Sequence, residues 1–254
     1  NDLNLDASLE NLKFTSSDQK FEIPNANVKA FFDNGSRIID VDAPGAAKGK
    51  VVGRFNLGDL AGMAQSGLGN VLVGYLPKKI YKGQNFDLEF DVQQKLISYF
   101  LPDVYIPSGA HIKGAYIGDT NDLNLDADVP SLRYVMTKKE EIKEADRALA
   151  RLNPQYKIEE KAVVTDSAVV DSIHLKINTA LHQEQILANI QKIKYDKNIV
   201  RNIVLKGTNE DDKILHIAST FKVGNESQDA SGKLKEYAVN LNQVTDPNGD
   251  IAVR

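Results

Sequence analysis

The chain has 254 residues, of which 42% are hydrophobic and 26% are charged, and its formal net charge is −4. This composition is typical of a globular protein with a buried core, and the small net charge gives no electrostatic attraction to nucleic acid or to anionic membranes. Cysteine is absent, which excludes disulfides, thiolate metal sites and cysteine nucleophiles, and no apolar stretch approaches the roughly 20 residues that a membrane-spanning helix needs.

Alternation of apolar and polar residues dominates the chain from its first residues. Leu3, Leu5 and Ala7 alternate with Asn4 and Asp6, so that one face of the predicted strand is apolar and the other is polar. The same period of two recurs in residues 28–32, 37–42, 50–57, 86–92, 112–116, 122–129, 172–177, 202–206 and 214–223. This pattern predicts a mainly β fold.

Helical patterns occur in three places. Residues 58–75 mix Leu, Ala, Met and Val at spacings of three and four, although five glycines lower the helix propensity of this segment. Residues 137–152 are rich in Glu, Lys and Ala, and Thr137 with Glu140 fits a capping box. Residues 181–194 are a third candidate, for which a strand ending near Tyr195 is the alternative.

One heptapeptide, Asn-Asp-Leu-Asn-Leu-Asp-Ala, occurs twice, at residues 1–7 and at residues 121–127. Repeats of this kind are typical of stacked architectures, in which each unit buries its apolar face against its neighbours. We therefore predict two β-repeat units: residues 1–120, with a helix near 58–75, and residues 121–254, with a helical insertion near 137–152. Because the sequence begins and ends within strand patterns, we interpret it as a fragment of a longer protein.

The order of these elements resembles that of the TamB and AsmA-like proteins. Residues 49–60 read GKVVGRFNLGDL and resemble the strand of that family that leads through Gly and Phe into a helix. Residues 106–116 read IPSGAHIKGAY and resemble the point at which a repeat ends in a loop and restarts. Residues 121–134 end in PSLRY and are similar to strand ends of TamB-like proteins from Bacteroidetes-type bacteria. The similarity covers most of the chain.

The resemblance implies an elongated, curved β-sheet of repeats, similar to a β-taco, with an apolar groove on its inner surface. It implies a translocation and assembly module in the periplasm, anchored in the inner membrane, that is a scaffold or conduit for outer-membrane protein assembly or intermembrane lipid transport. The partners expected in the groove are phospholipid acyl chains or outer-membrane β-strands, and an outer-membrane assembly partner is expected for the whole protein. No nucleic acid, no cofactor and no membrane span within this part of the chain are expected.

The residues expected to line the groove are the apolar ones of the alternating segments. Burial of each lipid methylene against such side chains contributes about 0.8 kcal/mol, so the groove needs no specific polar chemistry. The candidates are Leu3, Leu5, Phe32, Ile39, Val41, Phe55, Phe86, Leu88, Phe90, Leu123, Leu125, Leu175, Ile177, Leu205 and Ile217. The alternative for the same residues is an ordinary closed core beneath the helices.

The sequence shows no constellation of residues that is typical of an enzyme. Its four histidines, His111, His174, His182 and His216, have no metal-ligand spacing and are predicted to be ordinary surface residues. The three carboxylates of residues 87–91 are predicted to form a solvated strand face. We therefore predict no catalytic, cofactor-binding or metal-binding residues. The alternative function is a secreted or cell-surface β-sandwich module for ligand binding or adhesion.

Overall fold

The computed structural model of the protein describes residues 4–15, 20–71, 79–139, 162–180, 185–209, 214–245 and 251–253. Within these residues the chain forms fourteen β-strands and three α-helices. The strands are β1 (Leu5–Thr15), β2 (Lys20–Asp33), β3 (Ser36–Ala43), β4 (Ala47–Arg54), β5 (Asn85–Val92), β6 (Val104–Tyr105), β7 (Ala110–Ile117), β8 (Asp122–Lys139), β9 (Ala162–Asn178), β10 (Ile186–Tyr195), β11 (Asn198–Asn209), β12 (Ile214–Asn225), β13 (Lys235–Thr245) and β14 (Ile251–Val253). The helices are α1 (Leu60–Leu68), which a 3₁₀ turn (Leu57–Asp59) precedes, α2 (Gln94–Phe100) and α3 (Glu226–Ala230).

The strands form one antiparallel sheet in which each strand pairs with the next along the chain, while the short β6 pairs with β8 outside this path. Tight turns set the register. Asn34 and Gly35, with φ of 50° and 79°, form a two-residue connection of the kind that suits the twist of antiparallel strands, and they bring Asp33 opposite Ser36. β1 and β14 are the two ends of the path, so the described sheet is open. The predicted mainly β fold, an open sheet with packed helices, is confirmed.

Residues 5–7 of the first heptapeptide copy begin β1, and residues 122–127 of the second copy begin β8. β7 and β8 pair with each other across the predicted unit boundary at residue 120, so the sheet continues there without a break. The division of the chain into two repeat units stays a prediction.

The helix predicted at residues 58–75 corresponds to the 3₁₀ turn and α1, and residues 72–75 of it lie outside the described residues. The helix predicted at residues 137–152 is wrong at its start, because residues 137–139 continue β8 and pair with β9. The ladder of hydrogen bonds that β9 offers outweighs the local helix propensity of this segment. Residues 140–152 lie outside the described residues, and the helix there stays a prediction.

β10 replaces the third predicted helix, so the strand alternative is confirmed. Its ladder is interrupted at Gln191, which lies opposite Asn202 and Ser172, two residues with positive φ of 53° and 52°. This interruption explains the three-residue interval between Ile190 and Ile193, which resembled helical spacing. α2 and α3 were not predicted, because helices of seven and five residues are too short to give a periodic signal.

α3 is held at both ends by polar contacts. At its N-terminus, the side chain of Asn225 accepts a hydrogen bond from the Gln228 backbone N–H at 3.0 Å, and the Gln228 side chain accepts one from the Asn225 N–H at 3.0 Å. Near its C-terminus, Arg201 of β11 donates from Nη2 to Asp229 Oδ2 at 2.8 Å. The hydrogen bond from Arg201 lowers the pKa of the Asp229 carboxyl.

α1 packs on one face of the sheet and closes the largest buried cluster. Met63 of α1 is fully buried in a cluster with Phe86, Tyr116 and Leu123. The rings of Phe86 and Tyr116 stack with their centroids 5.6 Å apart. Gly67 allows the helix to come this close, since a Cβ at that position would lie 2.6 Å from Leu123 Cβ.

α2 and the residue Val71 cover two smaller clusters. Leu96 of α2 packs against buried residues of β2, of the end of β3 and of the β3–β4 connection, namely Ile23, Ala26, Ala43 and Ala46. Val71, which follows α1, is buried with Ile177 and Leu215.

Candidate functional site on the two faces of the sheet

The apolar face of the sheet is defined by two rows of directly paired residues, because partners on neighbouring antiparallel strands point to the same side. Each row crosses twelve strands, from β1 to β13 without β6. The first row is Leu5, Ala30, Ile39, Val51, Leu88, Gly114, Leu125, Ile177, Ile186, Gly207, Ile217 and Leu241. The second row is Ala7, Val28, Val41, Gly49, Phe90, Ile112, Ala127, Leu175, Ala188, Leu205, Ser219 and Val239.

Most of the predicted groove-lining residues lie on this apolar face. Ten of them belong to the two rows: Leu5, Ile39, Val41, Leu88, Phe90, Leu125, Leu175, Ile177, Leu205 and Ile217. Phe32, Phe86 and Leu123 each lie two residues from a row member on the same strand and therefore on the same face. Phe55 follows the end of β4 and lies in the cluster around Met63. Leu3 lies outside the described residues.

The candidates differ in how far they are covered. Phe55, Phe86, Leu123 and Ile177 are buried, with exposed fractions of 7%, 3%, 4% and 9%, so for these four the closed-core alternative describes the structure. Leu5, at the edge of the sheet, is 46% exposed. The other described candidates are partly exposed, and they form the accessible part of the apolar face.

The accessible part of the apolar face is widest on β8 to β11. A further apolar row, Val129, Ile173, Ile190 and Ile203, crosses β8 to β11 beside the second row. All four side chains are partly exposed. Together with Leu175 and Leu205 they make a continuous apolar surface across four strands.

A buried polar network fixes α1 over the apolar face. The Tyr116 hydroxyl donates to Asn121 Oδ1 at 2.7 Å, and Asn121 Nδ2 donates to the Ser66 carbonyl of α1 at 3.0 Å. The Ser66 hydroxyl in turn donates to the Lys79 carbonyl at 2.7 Å. Burial raises the pKa of the Tyr116 phenol, so the phenol stays protonated and can donate to the amide oxygen. Asn121 is the first residue of the second heptapeptide copy, which gives this part of the repeat a structural role.

The opposite face, here called the charged face, carries charges that alternate in sign from strand to strand. One row crosses eight neighbouring strands from β1 to β9 and is here called the charge ladder. It consists of Asp6, Lys29, Asp40, Lys50, Glu89, Lys113, Asp126 and Lys176. Close ion pairs in this row include Lys113 with Glu89 at 3.2 Å and Lys176 with Asp126 at 3.4 Å.

Two histidines lie in the row beside the charge ladder. His111 Nδ1 is 2.7 Å from Asp91 Oδ1, and His174 Nδ1 is 2.6 Å from Asp128 Oδ1. Asp87, Glu89 and Asp91 of β5 are all exposed, which confirms the solvated strand face predicted from residues 87–91. Asp126, Asp128 and His174 also bring their potential ligand atoms within 4.8 Å of one another. Lys176 forms an ion pair with Asp126, and His174 contacts Asp128, so the geometry of this group is that of a surface network of polar contacts.

A cavity of about 710 Å³ lies on the charged face of β1 to β5. Its lining includes Asp6, Asn27, Lys29, Asp40, Val41, Asp42, Lys48, Gly49, Lys50, Glu89 and Asp91. The concave surface in this part of the sheet is therefore mainly charged, whereas α1 and α2 lie on the apolar side. Sequence reasoning missed both the cavity and the charge ladder, because their residues come from five or more different strands. If neighbouring strands are aligned through the turns that connect them, the alternating sign of the charges can be recognised in the sequence.

Comparison of the chain with protein-family models, with curated proteins and with solved structures gives no match. The resemblance to TamB and AsmA-like proteins therefore stays a prediction. Among the residues that the structure describes, no helix combines the length and the apolarity required to cross a membrane.

Proposed function

We propose that this chain is part of a scaffold of the TamB/AsmA-like type, and that its apolar face binds the acyl chains of phospholipids. The observation that supports this proposal most directly is the pair of mainly apolar rows that crosses twelve strands of an open sheet. In this proposal the protein acts in the periplasm, is anchored in the inner membrane, and serves lipid transport or outer-membrane protein assembly.

The dimensions of the apolar face fit several acyl chains. Twelve strands have eleven spacings of about 4.8 Å, so the rows extend over roughly 53 Å measured along the sheet. One leaflet of a bilayer core is about 15 Å thick, so an extended chain covers only a part of this length. The members of the second row are all at least partly exposed, so in this proposal a lipid moves along that row and exchanges one set of apolar contacts for another of similar free energy, which a conduit requires.

Contact with an acyl chain also accounts for the partial exposure of the apolar face. Val129, Ile173, Ile190 and Ile203 are neither fully buried nor fully exposed in the described structure. Each methylene that covers such side chains contributes about 0.8 kcal/mol. A chain of ten contacted methylenes would thus contribute several kcal/mol before the loss of its conformational entropy is subtracted.

A lipid-binding assay with paired variants tests the proposal. The purified chain is incubated with vesicles that contain a fluorescent phospholipid, separated from them, and the bound lipid is measured. Leu205→Glu introduces a charge on the apolar face, whereas Thr220→Glu places the same charge on an exposed position of the opposite face of the neighbouring strand. We expect Leu205→Glu to lower the bound lipid at least several-fold and Thr220→Glu to leave it unchanged.

Thermal unfolding by circular dichroism shows whether each variant is folded. If Leu205→Glu fails to fold, the exposed pair Leu241→Glu and Asn240→Glu gives the same comparison at β13, where both side chains are exposed. Equal lipid binding by the two members of a folded pair, or no lipid bound by the unmodified chain, would contradict the proposal.

A further inference from the structure

The apolar face continues past the positions where the ladders of β8 to β11 are interrupted. β12 alternates without a break, since its register with β13 is unshifted from Ile214 to Val223, so Val223 lies on the same face as Ser219 of the second row. Directly paired residues share a face, which extends the assignment to β11, β10, β9 and β8. The resulting aliphatic row is Leu132, Val170, Ile193, Val200 and Val223, and all five side chains are partly exposed.

Two tyrosines follow this aliphatic row on the same face. Two residues away from it on β8, β9 and β10 lie Tyr134, Ala168 and Tyr195, which pair directly in this order. Tyr134 and Tyr195 are 42% and 41% exposed. The two phenol side chains therefore stand on either side of a gap above the methyl group of Ala168.

The width of this gap suits a cation. Two strand spacings of about 4.8 Å separate the backbones of Tyr134 and Tyr195, which makes roughly 10 Å. Because side chains stand roughly perpendicular to a sheet, a group centred above Ala168 is about 5 Å from the side chain on either side. A cation within about 6 Å of a ring centroid is attracted by the face of the ring. The gap thus places a cation within reach of both tyrosines.

A carboxylate lies at the end of the gap. Asp166 is two residues from Ala168 on β9 and therefore on the same face. It accepts hydrogen bonds from the Ser167 N–H at 2.7 Å and from the Tyr195 hydroxyl, two neutral donors that leave its negative charge in place. The hydrogen bond to Asp166 raises the pKa of Tyr195, and the charges of Asp166 and Asp196 act in the same direction. The potential at the gap is therefore negative.

We propose that Tyr134, Tyr195 and Asp166, here called the tyrosine site, bind the alkylammonium head group of a phospholipid whose acyl chains lie on the apolar face. Faces of aromatic rings are the groups with which proteins recognise quaternary ammonium ligands, and the carboxylate adds an attraction for the same charge. An anionic head group without an ammonium, such as phosphoglycerol, is repelled by Asp166. This inference rests on the proposed lipid binding and adds the head group that is selected.

The position of the tyrosine site orients the lipid. Measured along β8, Tyr134 is two residues, or about 7 Å, from Leu132 of the aliphatic row, and five residues, or about 17 Å, from Val129. Both of these residues belong to apolar rows with partly exposed side chains. A lipid with its ammonium between the tyrosines can therefore place its acyl chains on both rows.

Two small probes test the tyrosine site without acyl chains. Choline carries a trimethylammonium group, and 3,3-dimethyl-1-butanol has the same shape with carbon in place of the charged nitrogen. Binding to the full chain is followed by NMR through the ring signals of labelled tyrosines. We expect saturable shifts of the Tyr134 and Tyr195 signals with choline and none with the neutral probe at the same concentration.

Variants of the site give the second comparison. Tyr134→Leu and Tyr195→Leu should each weaken choline binding by about two- to fivefold, as for an exposed cation–π contact. Tyr105→Leu is the matched control and should change nothing, because Tyr105 is 54% exposed but pairs with Arg133 on the opposite face. Asp166→Asn removes the charge and keeps an oxygen acceptor for Tyr195. It should also weaken choline binding, and it replaces a tyrosine variant that circular dichroism shows to be unfolded.

A vesicle assay then compares phosphatidylcholine with phosphatidylglycerol of identical acyl chains. We expect the unmodified chain and Tyr105→Leu to bind more phosphatidylcholine, and the double variant of Tyr134→Leu with Tyr195→Leu to lose this preference several-fold. Repulsion between phosphatidylglycerol and the net charge of −4 acts on all three proteins alike, so the change in preference reports on the tyrosine site.

The outcomes separate this inference from the proposed function. Lipid binding that shows no dependence on the head group, or choline binding that Tyr105→Leu weakens as much as Tyr195→Leu, would overturn the tyrosine site and leave lipid binding intact. If the unmodified chain binds no lipid, both proposals fail. Choline binding that depends on both tyrosines would in that case identify a site for a free alkylammonium compound.

Discussion

The hydroxyl of Tyr116 offers a direct test of how α1 is held on the sheet. Tyr116 is 1% exposed, and its hydroxyl donates to Asn121 Oδ1 at 2.7 Å. Tyr116→Phe removes the donor and leaves a buried amide oxygen without that hydrogen bond, while the stacking on Phe86 is retained. Loss of a buried partner of this kind costs about 1–3 kcal/mol of the free energy of unfolding.

Urea denaturation of Tyr116→Phe at pH 7 measures this cost. The midpoint should fall while the m-value stays constant, because the surface exposed on unfolding does not change. Asn121→Gly is the second arm of a double-mutant cycle, since glycine accepts the positive φ of 61° at that position. A coupling free energy of about 1 kcal/mol is expected. A cost below about 0.3 kcal/mol for Tyr116→Phe, less than the usual range for such bonds, would refute the reasoning.

The same residue predicts a dependence on alkaline pH. Burial raises the pKa of Tyr116 above its ordinary value of 10.0. The stability that it contributes is therefore complete below pH 10 and is lost as the pH rises through the folded-state pKa. The difference in unfolding free energy between the unmodified chain and Tyr116→Phe should narrow above pH 10, and a constant difference would contradict the assignment.

Three further predictions concern the charge ladder, α1 and α3. Lys113→Glu places a carboxylate beside Glu89 and should lower the free energy of unfolding by about 1 kcal/mol at low salt, and by less in 0.5 M NaCl, when urea denaturation is measured at both salt concentrations. Gly67→Val should displace α1 and speed amide hydrogen exchange in β8, whereas Gly58→Val, where a Cβ meets nothing within 4 Å, should not. Asp229→Asn removes the ion pair that holds α3. Because the pKa of Asp229 is lowered from 3.8, its contribution is present above that value and is lost as the pH falls through the folded-state pKa, so denaturation curves of the variant and the unmodified chain should converge in acid.

The period-two pattern predicted which residues share a face, because side-chain alternation is a local property of a strand. Leu88 and Leu125 are placed correctly relative to each other although they lie on different strands. The alternation could not predict which of these apolar side chains other segments cover. Leu123 is buried and Leu125 is partly exposed, because α1 approaches Leu123 at Gly67. This contact joins segments that are distant in the sequence.

The errors also have physical causes. Residues 137–139 have a helical composition, but they gain more from the ladder with β9 than from a helical turn. The histidines were predicted to be ordinary surface residues, and His111 and His174 are partly exposed, but the row that they share depends on the register of β7, β8 and β9. A row of this kind can be recognised only when the pairing of the strands is known.

The alternation of sign along the charge ladder limits how a sheet of this kind can lengthen. Removing or inserting one strand would bring two like charges face to face and would reverse the direction of every later strand. Removing or inserting a hairpin preserves both the order of signs and the directions. The strands that begin in the two heptapeptide copies are an even number of strands apart, since six strands in the path, from β1 to β7, precede β8. The unit of growth is thus a pair of strands, and a longer or shorter relative should differ from this chain by an even number of them.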